Sequence, residues 1–408
     1  MVIMKENRFA FIIYGLFLGA IVGATAWLFL TVVNIGIHFL WDYIPNKLGT
    51  PAYYTIIVTS IGGVLVGLTQ KYFGTYPRLM PEVLGEYKAT GRVDYRFMHQ
   101  AVITALVVLM FGASLGPEAA LVGIIGGLCT WVGDRFSFAI KEMKDLTEVG
   151  MGAILSIIFN APLFGYLAPS ENEREQLTEI SKGDKTIVYL ITILSGFSAF
   201  LFLSQFDNRG SFIVDFGKST LTLREWLAFL PLACVGASVG YCYLKTEYIL
   251  EKIIHPFQEH KLALAIIGGL LLGIIGTFLP YTLFSGEHQL KELVHDWSGL
   301  SFWVLFLTGI LKLFSTAVCL STGWRGGHIF PLIFSGASIG YAIAIVIPID
   351  AIASVAFVVT AILSYIMRKP IAVVLLLLMF FPVNLLLPML GAAAIGNAFP
   401  ILGHDKES

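Results

Sequence analysis

Charge is what this sequence has least of. Of 408 residues only 13% are Asp, Glu, Lys or Arg, and the formal net charge is −1. No Lys/Arg block stands out, so nothing suggests a nucleic-acid partner held through its phosphates. Four cysteines, Cys129, Cys234, Cys242 and Cys319, lie in apolar segments without metal-ligand spacing. They read as packed thiols, with no disulfide framework and no metal site. There is no HExxH, P-loop or dinucleotide fingerprint, so the common soluble enzyme classes have no support. The polar intervals Asp42–Lys47, Tyr72–Tyr95, Glu171–Lys185 and Gly286–Asp296, and the tail after Leu402, are too short for an extramembrane domain.

What is present is apolar: 57% of the residues are hydrophobic. Stretches that can span a bilayer, about 20 residues each, recur near Phe9–Val33, Ala52–Gln70, Ala101–Val132, Gly150–Ala168, Thr186–Leu203, Trp226–Leu244, Leu262–Pro280, Phe302–Leu320, Ile329–Ile347, Ala351–Met367 and Ile371–Phe399. The class is an all-α polytopic membrane protein, multi-pass in the cell membrane, with the lipid bilayer as solvent. A basic start, MVIMKENR, precedes a run without a small-residue cleavage site. That predicts an uncleaved first helix with a cytoplasmic N-terminus.

One stretch organises the rest. Phe111–Leu128 reads FGASLGPEAALVGIIGGL: glycines, then Pro117 and Glu118, then a small-residue apolar run. Pro with an acid beside it is a helix-start signal, and here it falls inside a long hydrophobic region. A helix that starts at membrane depth presents N–H groups and the positive end of its dipole. Such a break is tolerated where it is buried in protein or lines a polar cavity, which makes it a candidate anion site. A kinked transmembrane helix is the plainer alternative.

Pieces of the first half recur in the second, about 210 residues further on. AILSIIFNAP at Ala153–Pro162 matches AILSYIMRKP at Ala361–Pro370, and IGGVLVG at Ile61–Gly67 matches IGGLLLG at Ile267–Gly273. A GxxxG at Gly19 and Gly23 matches one at Gly236 and Gly240, and the break at Gly112–Pro117 has a counterpart at Gly323–Pro331. The expected organisation is a single membrane domain, 1–408, made of two repeats, 9–206 and 220–403, with a short tail, 404–408. The polar gap Phe206–Ser219 joins the repeats. Transporters commonly place their site between two such repeats, at paired broken helices, and glycines at helical spacing fit close packing in lipid.

Three segments together carry a resemblance. PRLMPE at Pro77–Glu82 resembles the GSGIPE segment of the CLC family of chloride channels and chloride/proton antiporters. ASLGP at Ala113–Pro117 resembles its GREGP, and STGWRGGHIFP at Ser321–Pro331 resembles its SGAPGGIFAP. NAPLFG at Asn160–Gly165 is similar to the family's NAPLAG, and Lys312 stands where members often carry a lysine. The resemblance runs from Gly15 to Ile395. It is to a short, divergent, bacterial-type member without a C-terminal soluble domain. It implies a CLC-like fold of two inverted repeats with tilted and re-entrant helices, a homodimer, and an anion pathway in each subunit with chloride as the default ion.

This chain also departs from the pattern. The family's gating glutamate falls on Leu115, its anion-contacting serine on Arg78, and its internal proton-transfer glutamate on Asn172. The phenylalanine of GGIFAP falls on Ile329. The pore tyrosine has no match, since no Tyr follows Tyr365. A coupled antiporter needs a carboxylate that blocks the pathway and carries a proton, which Leu115 cannot do. The expectation is therefore anion transport that is passive and channel-like. The pathway would be formed by Arg78, Leu79, Met80 and Pro81, by Ser114, Leu115, Gly116, Pro117 and Glu118, and by Arg325, Gly326, Gly327, His328, Ile329 and Phe330. Backbone N–H groups would be the main ligands.

Arg78 and Arg325 add positive charge at two breaks, as anion attractors or as interfacial side chains paired with Glu82 or Glu118. Glu118 reads first as an acid that stabilises its own helix start, by about 0.3–1 kcal/mol. With His328 it is also the candidate gate or proton carrier, three residues after Leu115 and so on the same helix face. Lys312 reads as a snorkelling or paired lysine. No catalytic residue, cofactor or metal is called for. Two alternatives remain. One is a transporter of this fold for another solute or anion. The other is an intramembrane serine hydrolase, because GASLG is a literal G-x-S-x-G around Ser114; that elbow needs a preceding strand and a histidine base.

Overall fold

The structure, a computed structural model, describes residues 3–49, 51, 53–136, 143–159, 161–167, 182–206 and 214–400. Among the described residues the fold is helical, with no strand and a single isolated antiparallel bridge. The first helices are α1 (Ile3–His38), α2 (Ile44–Leu48), α3 (Tyr54–Tyr72), α4 (Met80–Thr90), α5 (Met98–Met110) and α6 (Glu118–Phe136). Next come α7 (Met143–Ile158), α8 (Pro162–Leu167), α9 (Lys182–Ser204), α10 (Leu223–Ile254), α11 (Lys261–Phe278) and α12 (Glu287–Asp296). The last are α13 (Phe302–Ser321), α14 (Ile329–Val346), α15 (Ala351–Met367), α16 (Pro370–Leu377) and α17 (Leu386–Ala398).

Among the described residues, six helical stretches are long and apolar enough to cross a membrane: Ile12–Lys47, Ile187–Ser204, Leu223–Phe257, Lys261–Phe278, Phe302–Ser321 and Ile329–Val346. Three of the apolar runs are interrupted, the first at the break that the sequence places there. Ala101–Val132 is cut between α5 and α6, Gly150–Ala168 between α7 and α8, and Ile371–Phe399 between α16 and α17. Each cut carries a proline, Pro117, Pro162 or Pro382, which cannot donate the helical hydrogen bond its position would need. Two of the four cysteines differ from expectation as well. Cys129 and Cys319 are buried, but Cys234 and Cys242 are exposed thiols on α10, eight residues apart and so close to one face.

Contact density divides the chain into two compact units. One comprises Met1–Ile35, Pro77–Ile103 and Pro117–Ser211; the other comprises Gly36–Tyr76, Thr104–Gly116 and Phe212–Ser408. In the first, α6 packs on α4 and α7, and α7 on α8 and α9. The GxxxG of α1 fits there: a Cβ on Gly19 would strike the Thr192 carbonyl, and one on Gly23 the Gly196 carbonyl. Small residues let these backbones meet, as close helix packing in lipid requires.

In the second unit α3 and α11 pack along their length. Each of the two IGG segments matched by sequence packs against the helix that carries the other. A Cβ on Gly63 would lie 2.6 Å from the Ala265 oxygen, and one on Gly273 2.6 Å from the Ile56 Cα. The core of this unit is α15, buried continuously from Ala353 to Tyr365 against α10, α14 and α17. Its start is tied down. Asp350 Oδ1 accepts from the Ala353 amide (2.9 Å) and the Ser219 hydroxyl (2.8 Å), while the Asp350 amide donates to Glu225 (3.1 Å). Asp350→Ala should cost about 1–2 kcal/mol through the lost cap. It would be read as a lower melting temperature of the purified protein in detergent, with Asp350→Asn retaining most of the stability.

Candidate functional site

The three resemblance segments build three helix starts. At the first, in the first unit, Leu79 is the N-cap of α4, and its amide donates to Glu82 Oε2 at 2.7 Å. Pro81 stands in the first turn, where its missing N–H costs nothing. Arg78 Nη1 lies 2.5 Å from Glu86 Oε2, with the arginine side chain about one-third exposed (34%). Its partner is thus Glu86 rather than the expected Glu82 or Glu118, because Glu82 is turned back on its own helix start. A pair this exposed contributes little to stability.

The second segment follows α5. Gly112 is left-handed, φ +85°, and packs under the Trp41 ring; a side chain there would be strained and would collide. Ser114 and Leu115 are completely buried. Ser114 Oγ lies 3.1 Å from Thr316 Oγ1, which donates to the carbonyls of Ser114 (3.0 Å) or Lys312 (2.9 Å). Leu115 belongs to an apolar cluster with Val66, Val108, Ala113, Ala265, Leu272, Cys319 and Trp324. It precedes the helix, since α6 begins only at Glu118. The helical three-residue relation expected between Leu115 and Glu118 therefore does not exist. Glu118 is the first residue of α6 and is 1% exposed. It and Pro117 belong to the first unit, whereas Ser114, Leu115 and Gly116 belong to the second.

The third segment follows α13. Gly323 is left-handed, φ +90°, and the buried Trp324 donates its Nε1–H to the Ala265 carbonyl at 2.9 Å. Arg325 Nη1 donates to the Thr75 carbonyl at 3.1 Å. Gly326 lies against Leu115: a Cβ on it would come within 2.9 Å of the leucine Cβ. Gly327 and Gly116 exchange both backbone hydrogen bonds, 2.7 and 2.9 Å. Two glycines matched by sequence therefore form the one isolated bridge among the described residues, each two residues ahead of a helix, α6 or α14. His328 is the N-cap of α14 and gives it no side-chain cap. Its ring meets Tyr243 of α10 edge to face, with Nδ1 3.4 Å from the hydroxyl. Ile329 and Phe330, the first two residues of α14, are both buried.

Lys312 does not snorkel, and it meets no carboxylate among the described residues. It is fully buried in α13, and Nζ faces four backbone carbonyls: Tyr281 (3.3 Å), Thr282 (3.2 Å), Leu283 (2.8 Å) and Phe284 (2.6 Å). The Phe334 ring lies 5.3 Å from the ammonium. Phe284 takes φ +59° to reach this arrangement, and its amide donates to the Gly112 carbonyl at 3.3 Å. A strained backbone held on both sides by hydrogen bonds is one that its surroundings over-determine.

The structure thus brings Ser114, Leu115 and Gly116 together with Gly326 and Gly327. Sequence reasoning missed Thr316 and Tyr243. Thr316, one helical turn after Lys312, carried the only positional signal; Tyr243 sits in no motif. Asn172 and Asn160 lie outside the described residues. The hydrolase elbow loses its context, because a helix and not a strand leads into Ser114.

These features define a multi-pass helical membrane protein in which two glycine motifs, one from each half of the sequence, pair their backbones ahead of two helix starts. A family model for voltage gated chloride channels matches residues 62–400. The chain belongs to that family, CLC, whose members are anion channels and transporters, and it is a multi-pass protein of the cell membrane. Among curated proteins it is similar to YfeO of Escherichia coli O17:K52:H18 (strain UMN026), a protein named for ion transport. That match is 25% identical over 314 residues, 74% of this chain and 71% of the relative. YfeO of Escherichia fergusonii is 24% identical over 307 residues, again 74% and 71%. Among solved structures, a CLC-type fluoride/proton antiporter superposes with a TM-score of 0.77 at 18% identity, covering 96% of this chain and 95% of that one. A slow cyanobacterial Cl−/H+ antiporter gives 0.78 at 19%, covering 95% and 93%.

Proposed function

We propose that this protein moves small anions passively through the CLC-type pathway, with chloride as the default ion, and works as a homodimer. The observation that carries the reading is Leu115. At the position where the resemblance expects a gating carboxylate there is a completely buried leucine inside an apolar cluster. No proton can be carried there. The proposed ligands are backbone N–H groups at Ser114 and at the start of α14, where helix geometry aims N–H groups outward and the dipole favours an anion; the Leu115 and Gly116 amides already donate to the Ala113 and Gly327 carbonyls. Arg325 adds positive charge beside that start. Arg78 is the weaker member of the set, since Glu86 offsets its charge. The two-repeat organisation, 9–206 and 220–403, belongs to the same proposal. The Gly116–Gly327 bridge and the packing of the two IGG-bearing helices support it.

A second reading is proton-coupled exchange. Two structural neighbours are antiporters by name, and Glu118 is a buried carboxylate at the start of α6. Liposomes holding the purified protein separate the two. Passive transport gives chloride efflux that requires a potassium ionophore and leaves external pH unchanged. Coupled exchange moves protons in fixed ratio with chloride, and Glu118→Gln abolishes that proton movement. Absence of flux for chloride, fluoride and nitrate would defeat both and leave a different solute.

A further inference from the structure

Beside the backbone carbonyls that face Lys312, within the second unit, lies an open-mouthed cavity of about 430 Å³. That size lies in the ordinary range for small-molecule sites. Four aromatic residues line it: Trp41, Tyr54, Tyr281 and Phe284. The Trp41 ring stands edge to face with Tyr54 (6.4 Å, 89°) and with Phe284 (5.2 Å, 76°). Their positions are fixed from outside the cavity. Trp41 Nε1–H donates to the Met110 carbonyl at 3.0 Å, and the Tyr54 hydroxyl donates to the Leu40 carbonyl. Phe284 is held by Lys312 on its carbonyl and by Gly112 on its amide.

The remaining polarity of the wall is that of an acceptor. Gln289 and Glu292 line the cavity, and Gln289 Oε1 is buried without a hydrogen-bond partner among the described residues. No Lys or Arg is among the lining residues. Burial, with the carboxylates of Glu292 and Asp296, raises the Tyr281 phenol above its ordinary value, so it stays neutral at pH 7. The Lys312 ammonium lies behind this wall, faced by four carbonyl dipoles.

Aromatic faces carry negative potential and attract cations, above all those whose charge is spread over methyl groups and is weakly hydrated. A carboxylate and an unmet amide oxygen beside four such rings would repel an anion and satisfy a cation. From this geometry we infer that the cavity walled by Trp41, Tyr54, Tyr281, Phe284, Gln289 and Glu292 is a binding site for a small organic ammonium ion of the quaternary or methylated class.

The test is calorimetric titration of tetramethylammonium and of choline into the purified full chain in detergent at constant ionic strength. The neutral isostere of choline, 3,3-dimethyl-1-butanol, is run beside them. Both cations should bind saturably with Kd of about 1 mM or tighter, and the isostere should bind about fivefold more weakly or worse. Glu292→Gln changes an exposed side chain and should weaken both cations about three- to tenfold. Trp41→Leu should abolish binding; should that variant not fold, Tyr281→Leu carries the same expectation. Absence of saturable binding, equal affinity for the neutral isostere, or unchanged affinity in Glu292→Gln would each overturn the assignment.

Discussion

Lys312→Met should lower stability by roughly 3 kcal/mol or more, because each hydrogen bond to a charged group is worth about 1.5–3 kcal/mol and an unmet buried acceptor costs about 1–3. Methionine matches the length of the lysine stem and is at ease in an apolar core. The loss would therefore report the ammonium, not packing. Four carbonyls from Tyr281 to Phe284 would be left facing a thioether, and Phe284 would lose the partner that holds its left-handed backbone. Lys312→Arg keeps the charge but brings a flat fork in place of a compact ammonium, and it should recover little. The measurement is the monodisperse fraction after heating in detergent. Wild-type melting of Lys312→Met would mean that the carbonyl arrangement contributes nothing.

The second large effect is expected at the α3/α11 seam. In Gly63→Ala the new Cβ would sit 2.6 Å from the Ala265 oxygen and 2.8 Å from the Ile266 Cα, and neither atom can rotate away. The helices must separate, and overpacking of this kind costs about 1–3 kcal/mol and occasionally more. Gly63→Val should prevent recovery of folded protein. Gly85→Ala is the counterpart. That glycine lies inside α4 with no atom of the described residues within 4 Å of its would-be Cβ, so alanine should stabilise by up to about 1 kcal/mol through helix propensity. Opposite shifts in melting temperature for the two alanine variants would separate packing from propensity; shifts of the same sign would refute the seam.

The helical class and the breaks were legible because both are written locally. Length and apolarity mark spans, and Gly112, Pro117 and Gly323 mark where spans stop. The matched glycines were legible too, and the structure sets Gly116 on Gly327 and each IGG segment on the helix that carries the other. What the sequence hid was partnership across distance. Nothing near Arg78 singles out Glu86 over Glu82. Nothing near Lys312 says that its acceptors are backbone oxygens some thirty residues earlier, since every residue owns a carbonyl and none advertises it. Tyr243 reaches His328 through the packing of α10, which no motif encodes. The assumption that Leu115 and Glu118 share a helix face failed because it presumed that the helix had already begun at Leu115.

The position of Lys312 also bears on how the chain enters the membrane. A lysine near the middle of a 20-residue span opposes insertion by about 2.5–3.5 kcal/mol on translocon scales. The acceptors that neutralise that cost come before it in the chain, so residues 281–284 have left the ribosome when α13 arrives. A span that would be reluctant alone is met by a receptor already made, and insertion of α13 becomes dependent on the segment before it. Truncated chains that begin after Phe284 should therefore insert α13 less efficiently in a microsomal translation assay than chains that begin at α11.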